Sequence, residues 1–215
     1  MAAKAVIFDI GNVLIEWQPE RFYDAEIGEA RRWEMFAEID LHDMNNDVDL
    51  GGPFRETIYA TADKYPKWRN EIRMWHDRWF ELATPAIDHS VHLLRALRAK
   101  GVTVFALTNF GDEIFARAQK HYTFLQDFDQ FYVSGEMKLV KPDDAIYAAV
   151  EAACGHAPET LLFADDRQEN LDAASARGWQ THHFQHPQGW ADRLVSEGLL
   201  TREEATWPEV KKDKT

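Results

Sequence analysis

The chain of 215 residues is long enough for one sizeable domain, or for one domain carrying an insertion, and too short for three independent ones. Its 45% hydrophobic and 28% charged residues are the balance of a globular protein, which excludes wholesale disorder. Its 24 Lys and Arg against 37 Asp and Glu leave a net charge of −13, a field that repels phosphate backbones and anionic lipid and so excludes nucleic acid and membrane surfaces as partners.

The first predicted element is a buried strand, Ala5-Val6-Ile7-Phe8. No apolar run in the chain approaches the roughly 18–20 residues of a membrane span, and Asp9 interrupts this first one too early for a signal peptide, so the expected location is the cytoplasm. The next strand pattern comes only about ninety residues later, too far for a plain crossover. The intervening residues 17–85 carry charged and aromatic positions at helical spacing and hold Trp17, Trp33, Trp68, Trp75 and Trp79, five of the chain's eight tryptophans. This stretch reads as a helical insertion whose aromatics form its own core, broken into helices at Asn45-Asn46-Asp47 and Gly51-Gly52-Pro53. The dense Trp75-His76-Asp77-Arg78-Trp79 run could offer His76 or Arg78 to a sugar or second anion, but a packed helix with a solvated face is the favoured reading.

Beyond residue 85, Val91, Leu94 and Leu97 mark a helix ending near Gly101, followed by the strands Val102–Leu107 and Gln130–Val133. Ile146, Val150 and Ala153 mark a helix between Pro142 and Gly155 that contains Cys154, which as the lone cysteine can form no intrachain disulfide and reads as a small core hydrophobe and not a nucleophile because nothing near it looks activating. A strand over Leu161–Ala164, a helix through Leu171 and Ala174 ending near Gly178, and a strand over Thr181–Phe184 complete the series. His89 and His92 share a helix face without a third ligand for zinc, and one of His182 and His183 reads as buried and hydrogen-bonded. The tail from Thr201 to Lys211-Lys212-Asp213-Lys214-Thr215 reads as a frayed end. Uniformly apolar strands alternating with helices imply an α/β doubly wound, Rossmann-like parallel sheet, here formed by residues 1–16 and 86–215 with an all-helical cap inserted over 17–85.

In such sheets reactive groups gather past the carboxyl ends of the strands. The first strand ends in Asp9-Ile10-Gly11-Asn12, the second in Leu107-Thr108-Asn109, and the fourth in Ala164-Asp165-Asp166-Arg167, while Lys141-Pro142 follows the third. Carboxylates at one crevice cost desolvation energy unless a cation meets them, which points to a bound metal. Singly, each feature has a plain alternative: Asp9 as an N-cap, Thr108 as a β-branched strand residue, Lys141 or Lys138 as surface lysines. In this order, with the helical insertion after the first, they resemble the haloacid dehalogenase superfamily of phosphohydrolases with a type-1 cap. Phe8-Asp9-Ile10-Gly11-Asn12-Val13-Leu14 and Phe163-Ala164-Asp165-Asp166-Arg167-Gln168-Glu169-Asn170 look most like the branch that includes phosphatases of the glucose-1-phosphate type.

The resemblance implies a Mg2+-dependent phosphatase of a small phosphorylated metabolite, a sugar phosphate among the candidates. Asp9 would be the nucleophile that forms an aspartyl-phosphate. Asp9, the Gly11 carbonyl and Asp166 would hold Mg2+ directly and Asp165 through water, with the order of the two aspartates open to reversal. Thr108 and the Asn109 N–H would bind phosphoryl oxygens, and Lys141, with Lys138 as rival, would neutralise charge shared by phosphate and Asp9; Asn170 stands where the family orients that lysine. One departure is Gly11, where active members usually carry a second aspartate that protonates the leaving group. Its absence costs rate unless a cap residue or the substrate supplies the proton. The same residues also allow a metal-independent 2-haloacid dehalogenase, against which the Asp165-Asp166 pair argues, or a catalytically weak phosphate-binding regulatory protein.

Overall fold

The computed structural model describes residues 2–207. Five parallel strands form the central sheet: β1 (Ala5–Phe8), β4 (Thr103–Thr108), β5 (Gln130–Val133), β6 (Leu161–Asp165) and β7 (Gln180–His183), in the spatial order β5-β4-β1-β6-β7. The remaining two strands, β2 (Ile15–Trp17) and β3 (Ala83–Ala86), pair antiparallel in a separate ribbon. β1 lies in register with β4 on one side and β6 on the other, Phe8 opposite both Ala106 and Ala164. Alternation sends Val6 and Phe8 to one face, with Val104, Ala106, Leu162 and Ala164, and Ala5 and Ile7 to the other, with Phe105, Leu107, Leu161 and Phe163. The helices Asp88–Ala99 and Pro187–Ser196 bury Leu94, Leu97, Trp190 and Leu194 on the first face. Asp144–Cys154 and Gln168–Ala176 bury Tyr147, Val150, Leu171 and Ala174 on the second, which completes the doubly wound α/β layer the sequence implies. The helix Asp144–Cys154 stops at Gly155, whose φ of +71° is a conformation a side chain resists. Pro142 precedes this helix by two residues instead of opening it, and Cys154 is half-buried against the second face.

Residues between the ribbon strands form the helices Pro19–Ile27, Glu29–Glu38, Leu41–Asp49, Phe54–Lys64, Arg69–Asp77 and Trp79–Leu82. The ribbon itself was not expected from the sequence, because pieces of three and four residues are too short to show a period. It ties the two chain crossings together, with Gln18 N–H donating to Leu82 C=O and Ile87 N–H to Leu14 C=O. The reading of Asn45-Asn46-Asp47 as a helix break is also corrected: these residues lie inside Leu41–Asp49, and only Gly51-Gly52-Pro53 separates two helices. Trp68, Trp75 and Trp79 are buried, but Trp33 is 61% exposed and belongs to no core. The apolar interior of these helices is continuous with the first face of the sheet, so the insertion does not keep a core to itself.

The chain after Thr201 does not fray at once. Thr201 caps a short helix, Arg202–Ala205, with a reciprocal Glu204 contact, and the His89 and His92 rings donate to the carbonyls of Ala205 and Glu204 at its far end. As carbonyls only accept, both ring nitrogens there carry protons. Lys211–Thr215 lie outside the described residues. Among the described residues, no helix is long and apolar enough to cross a membrane.

Candidate active site

Going out from β1, the chain runs to β4 and β5 on one side and then crosses back to β6 and β7 on the other, so the strand order turns at β1. A crevice opens outside the carboxyl ends of strands at such a point. Asp9 stands there, its own N–H donating to the Ala164 carbonyl at 2.9 Å and its Oδ1 receiving the Ile10 N–H at 2.7 Å. The Lys141 ammonium lies 2.9 Å from Asp9 Oδ1 and 2.6 Å from Asp165 Oδ2, and donates to the Leu107 carbonyl at 3.0 Å. Burial works against this ammonium, but the charges of Asp165 and Asp9 outweigh it and hold the group above the usual lysine range. Burial raises the Asp9 carboxyl to about 7, with Lys141 pulling in the opposite direction and Asp165 and Asp166 adding to the rise.

The two adjacent aspartates have different surroundings. Asp165 is fully buried and its oxygens are already engaged, by Lys141, by the Asn170 amide at 2.9 and 3.0 Å, and by the Arg167 N–H at 2.8 Å. Asp166 faces the cavity and, among the described residues, receives only the Asn12 amide from another side chain, at 3.0 Å; burial raises its carboxyl. Asn12 reaches it from a left-handed backbone, φ +53°, a conformation asparagine tolerates better than most residues, and its Oδ1 accepts the Trp17 N–H at 3.0 Å. Oxygens of Asp9, Asp165 and Asp166 all lie within 4.8 Å of one another, a set of hard donors able to hold a divalent cation.

Thr108, at the end of β4, is buried at the cavity, and Asn109 follows it. The Asn109 side chain exchanges two hydrogen bonds with the Lys141 backbone, at 2.9 and 2.8 Å, which locks the loop carrying the lysine to the end of β4. Lys138 is excluded as the site lysine: it caps the short helix Ser134–Met137 in a left-handed conformation and donates outward to the Gly51 carbonyl. Gly11 lines the cavity, and a Cβ added to it would meet nothing within 4 Å.

The cavity measures about 440 Å³. Trp17, Trp79 and Phe110 form its aromatic wall, with ring centroids 5.7 Å apart for the tryptophans and 5.2 Å for Trp79 and Phe110. From the insertion, His42, Asn45, Asn46 and Asp49 face it along one side of the helix Leu41–Asp49. From the sequence Asn45 and Asn46 read as a helix break, and neither His42 nor Asp49 was singled out. The candidates that were singled out lie elsewhere. Arg78 is paired with Glu26 and Glu81, and His76 with Asp77. His182 packs on Trp190, held neutral by burial that lowers it to about 4, while the His183 ring bonds the Asp166 carbonyl.

The pattern of the haloacid dehalogenase-like hydrolase family matches residues 3–178. A sesquiterpene phosphatase of Aspergillus oryzae is 26% identical over 200 residues, covering 84% of this chain and 89% of its own. A haloacid dehalogenase family enzyme from Bacteroides thetaiotaomicron superposes with a TM-score of 0.70 at 23% identity over 90% of this chain and 99% of its own, and that enzyme has also been solved with magnesium and inorganic phosphate. The L-2-haloacid dehalogenase of Xanthobacter autotrophicus shares the fold at a TM-score of 0.60 and 18% identity, over 92% of this chain and 84% of its own.

Proposed function

The chain belongs to the haloacid dehalogenase-like hydrolase family, and from that membership and the cluster around Asp9 we propose that it is a Mg2+-dependent phosphatase working through an aspartyl-phosphate, with residues 17–85 as a cap over a core of residues 1–16 and 86–215. The observation that carries this reading is a cluster of three carboxylates whose oxygens come within 4.8 Å of each other, two of them paired with one buried ammonium, at the turning point of a parallel sheet. The donor set fits magnesium, which prefers carboxylate and carbonyl oxygen. Asp9, Asp166 and the Gly11 carbonyl would hold it, with Asp165 acting through water because its own oxygens are taken. When bound there, the ion would supply positive charge that lets a phosphate dianion enter an acidic cavity. The Bacteroides enzyme's complex with magnesium and phosphate and the Aspergillus phosphatase support the same reading.

In this mechanism Asp9 Oδ attacks phosphorus, and the P–O bond to the leaving group breaks as the new P–O bond forms. The Thr108 hydroxyl and Asn109 N–H would bind the phosphoryl oxygens as charge spreads over them, and Lys141 would balance the charge of Asp9 before attack and that of the phosphoryl group as it forms the acyl phosphate. The wall of Trp17, Trp79 and Phe110 favours an ester whose organic part is apolar, in keeping with the sesquiterpene phosphatase. A sugar phosphate is less well served, since Arg78 and His76 are paired with carboxylates and do not line the cavity.

The test is hydrolysis of p-nitrophenyl phosphate, an isoprenoid monophosphate and glucose 1-phosphate with Mg2+ and with EDTA, alongside 2-chloropropionate without metal. Phosphate release that needs Mg2+ and is greatest for the isoprenoid ester is expected. Chloride release in EDTA would replace the phosphatase by a dehalogenase, and binding of phosphate without turnover would leave a regulatory protein.

A further inference from the structure

We propose that Asp49, from the inserted helices, is the general acid and base of this site, replacing the side chain that Gly11 lacks. The inference rests on the phosphatase reading and deepens it. The helix Leu41–Asp49 ends at the cavity, and His42, Asn45 and Asp49 follow one another by three and four residues, which sets them on one face toward it. Asp49 is half-buried there.

Its placement is fixed from three directions. The Asn45 amide donates to Asp49 Oδ2 at 3.0 Å, and Asn45 is itself held by the Trp75 indole N–H at 3.0 Å. The Gly111 backbone N–H is directed at the carboxyl, and the Ser134 hydroxyl donates to the Asp49 carbonyl at 2.6 Å. Gly111 and Ser134 belong to the core layer, so this end of the helix is fastened to the loop that follows Asn109. The fit is close enough to require glycine: a Cβ on Gly111 would lie 2.5 Å from Val48 Cγ1, and one on Gly135 would lie 2.5 Å from the Asp112 nitrogen. A carboxyl held this way meets the positional demand of proton transfer, which a free side chain on a mobile cap would not.

Other titratable groups of the cavity are already engaged. Asp9 carries the lysine, Asp166 is the carboxylate assigned to the metal, the His42 ring reaches Glu20 at 2.9 Å, and Arg167 pairs with Glu169. Among the described residues Asp49 has no cation within ion-pair distance; the charges that reach it are those of Asp9, which raises its carboxyl, and Lys141, which lowers it. Burial is the larger effect and raises it to about 7, so both protonation states are populated near neutrality, as an acid that must also serve as a base requires.

The step balances as follows. Protonated Asp49 gives its proton to the ester oxygen as the P–O bond breaks, that oxygen keeps the bonding pair and leaves as the alcohol, and Asp9 becomes the acyl phosphate. Asp49, now a carboxylate, takes a proton from water as the water oxygen attacks phosphorus. The Asp9–phosphorus bond breaks with its pair returning to the Asp9 carboxylate, and hydrogen phosphate and protonated Asp49 are regenerated.

The experiment compares alkyl and aryl phosphates in the Mg2+-loaded parent, in Asp49→Asn, and in Asp49→Asn combined with Gly11→Asp. The parent is expected to show little dependence on leaving-group acidity. Asp49→Asn should lose about 10²–10⁴-fold on alkyl phosphates and far less on the first turnover of p-nitrophenyl phosphate, which should appear as a burst followed by slow release. The added Gly11→Asp should restore alkyl phosphate turnover, since its Cβ meets open space. A parent whose rate falls steeply with leaving-group pKa, or an Asp49→Asn variant that slows both ester classes equally without a burst, overturns the assignment while leaving the phosphatase reading intact. A parent inactive on every phosphate ester overturns both.

Discussion

Replacing Lys141 by methionine keeps the length and apolar stem of the side chain and removes its charge. The ammonium is the one cation within ion-pair distance of Asp9 and Asp165 among the described residues, and its side chain is 1% exposed. Removing one partner of a buried pair costs about 3–5 kcal/mol, since the other charge stays buried without compensation. For a chain of this size each kcal/mol moves the melting point by about 2–4 °C, so a fall near 10 °C is expected. The loss should depend on pH. The Asp9 carboxyl is already raised to about 7 from 3.8, and a group raised in the folded chain stabilises it below its unfolded pKa and loses that contribution as pH rises through the folded value. Without Lys141 that folded value climbs further. The deficit should therefore be largest near about pH 8 and shrink towards about pH 5.5, where Asp9 is protonated. Circular dichroism melts in EDTA at both pH values measure this, and adding Mg2+ should raise the melting point of the variant more than that of the parent. Lys141→Arg should not recover the parent, because the forked guanidinium needs width that a fully enclosed ammonium site lacks. A fall under about 2 °C at the higher pH, or one equal at both, would refute the claim that this lysine compensates buried carboxylates.

Asp9→Asn keeps the shape of the nucleophile and cannot form the acyl phosphate, so it should fold at parental yield and lose turnover almost entirely; p-nitrophenyl phosphate assays with verified folding test this. Asp166→Asn, which removes the carboxylate facing the cavity, should raise the Mg2+ needed for half-maximal activity by at least about tenfold, whereas parental Mg2+ dependence would transfer the direct ligand role to Asp165. Asp49→Asn should be more stable than the parent above neutrality and equal to it in acid, because the raised carboxyl destabilises the fold only when ionised: the span from 3.8 to about 7 caps the gain at about 4 kcal/mol, and partial exposure reduces it to about 1–2, read from denaturant melts across pH. Gly111→Ala should cost about 1–3 kcal/mol through its clash with Val48, and Val48→Ala should return part of it in a double-mutant cycle.

The strand-end acids were readable because parallel strands buried on both faces announce themselves as unbroken apolar runs, and an acid closing such a run has few structural uses. The Asp165-Asp166 pair shows where that reading stops and also how far strand geometry extends it. Asp165 is still part of β6, so alternation turns it to the face of Phe163, where Lys141 lies 5.4 Å from the Phe163 ring, while Asp166 is past the strand and free to enter the crevice. Lys138 and Lys141 could not be separated by pattern, because their difference comes from a left-handed turn at Lys138 that sends one side chain outward. Asp49 was beyond reach for a stronger reason. Along Leu41–Asp49 the residues His42, Asn45, Asn46 and Asp49 make a polar stripe identical to the solvated side of any surface helix, and the paired asparagines even suggested a break. What converts the stripe into part of a cavity is the seating of Val48 and Asp49 on Gly111 and Ser134, residues about sixty to eighty-five positions away. A local period reports that a helix has two sides. It carries no information on whether the polar side meets water or a reaction, and here that depends on a contact between the insertion and the loop after β4.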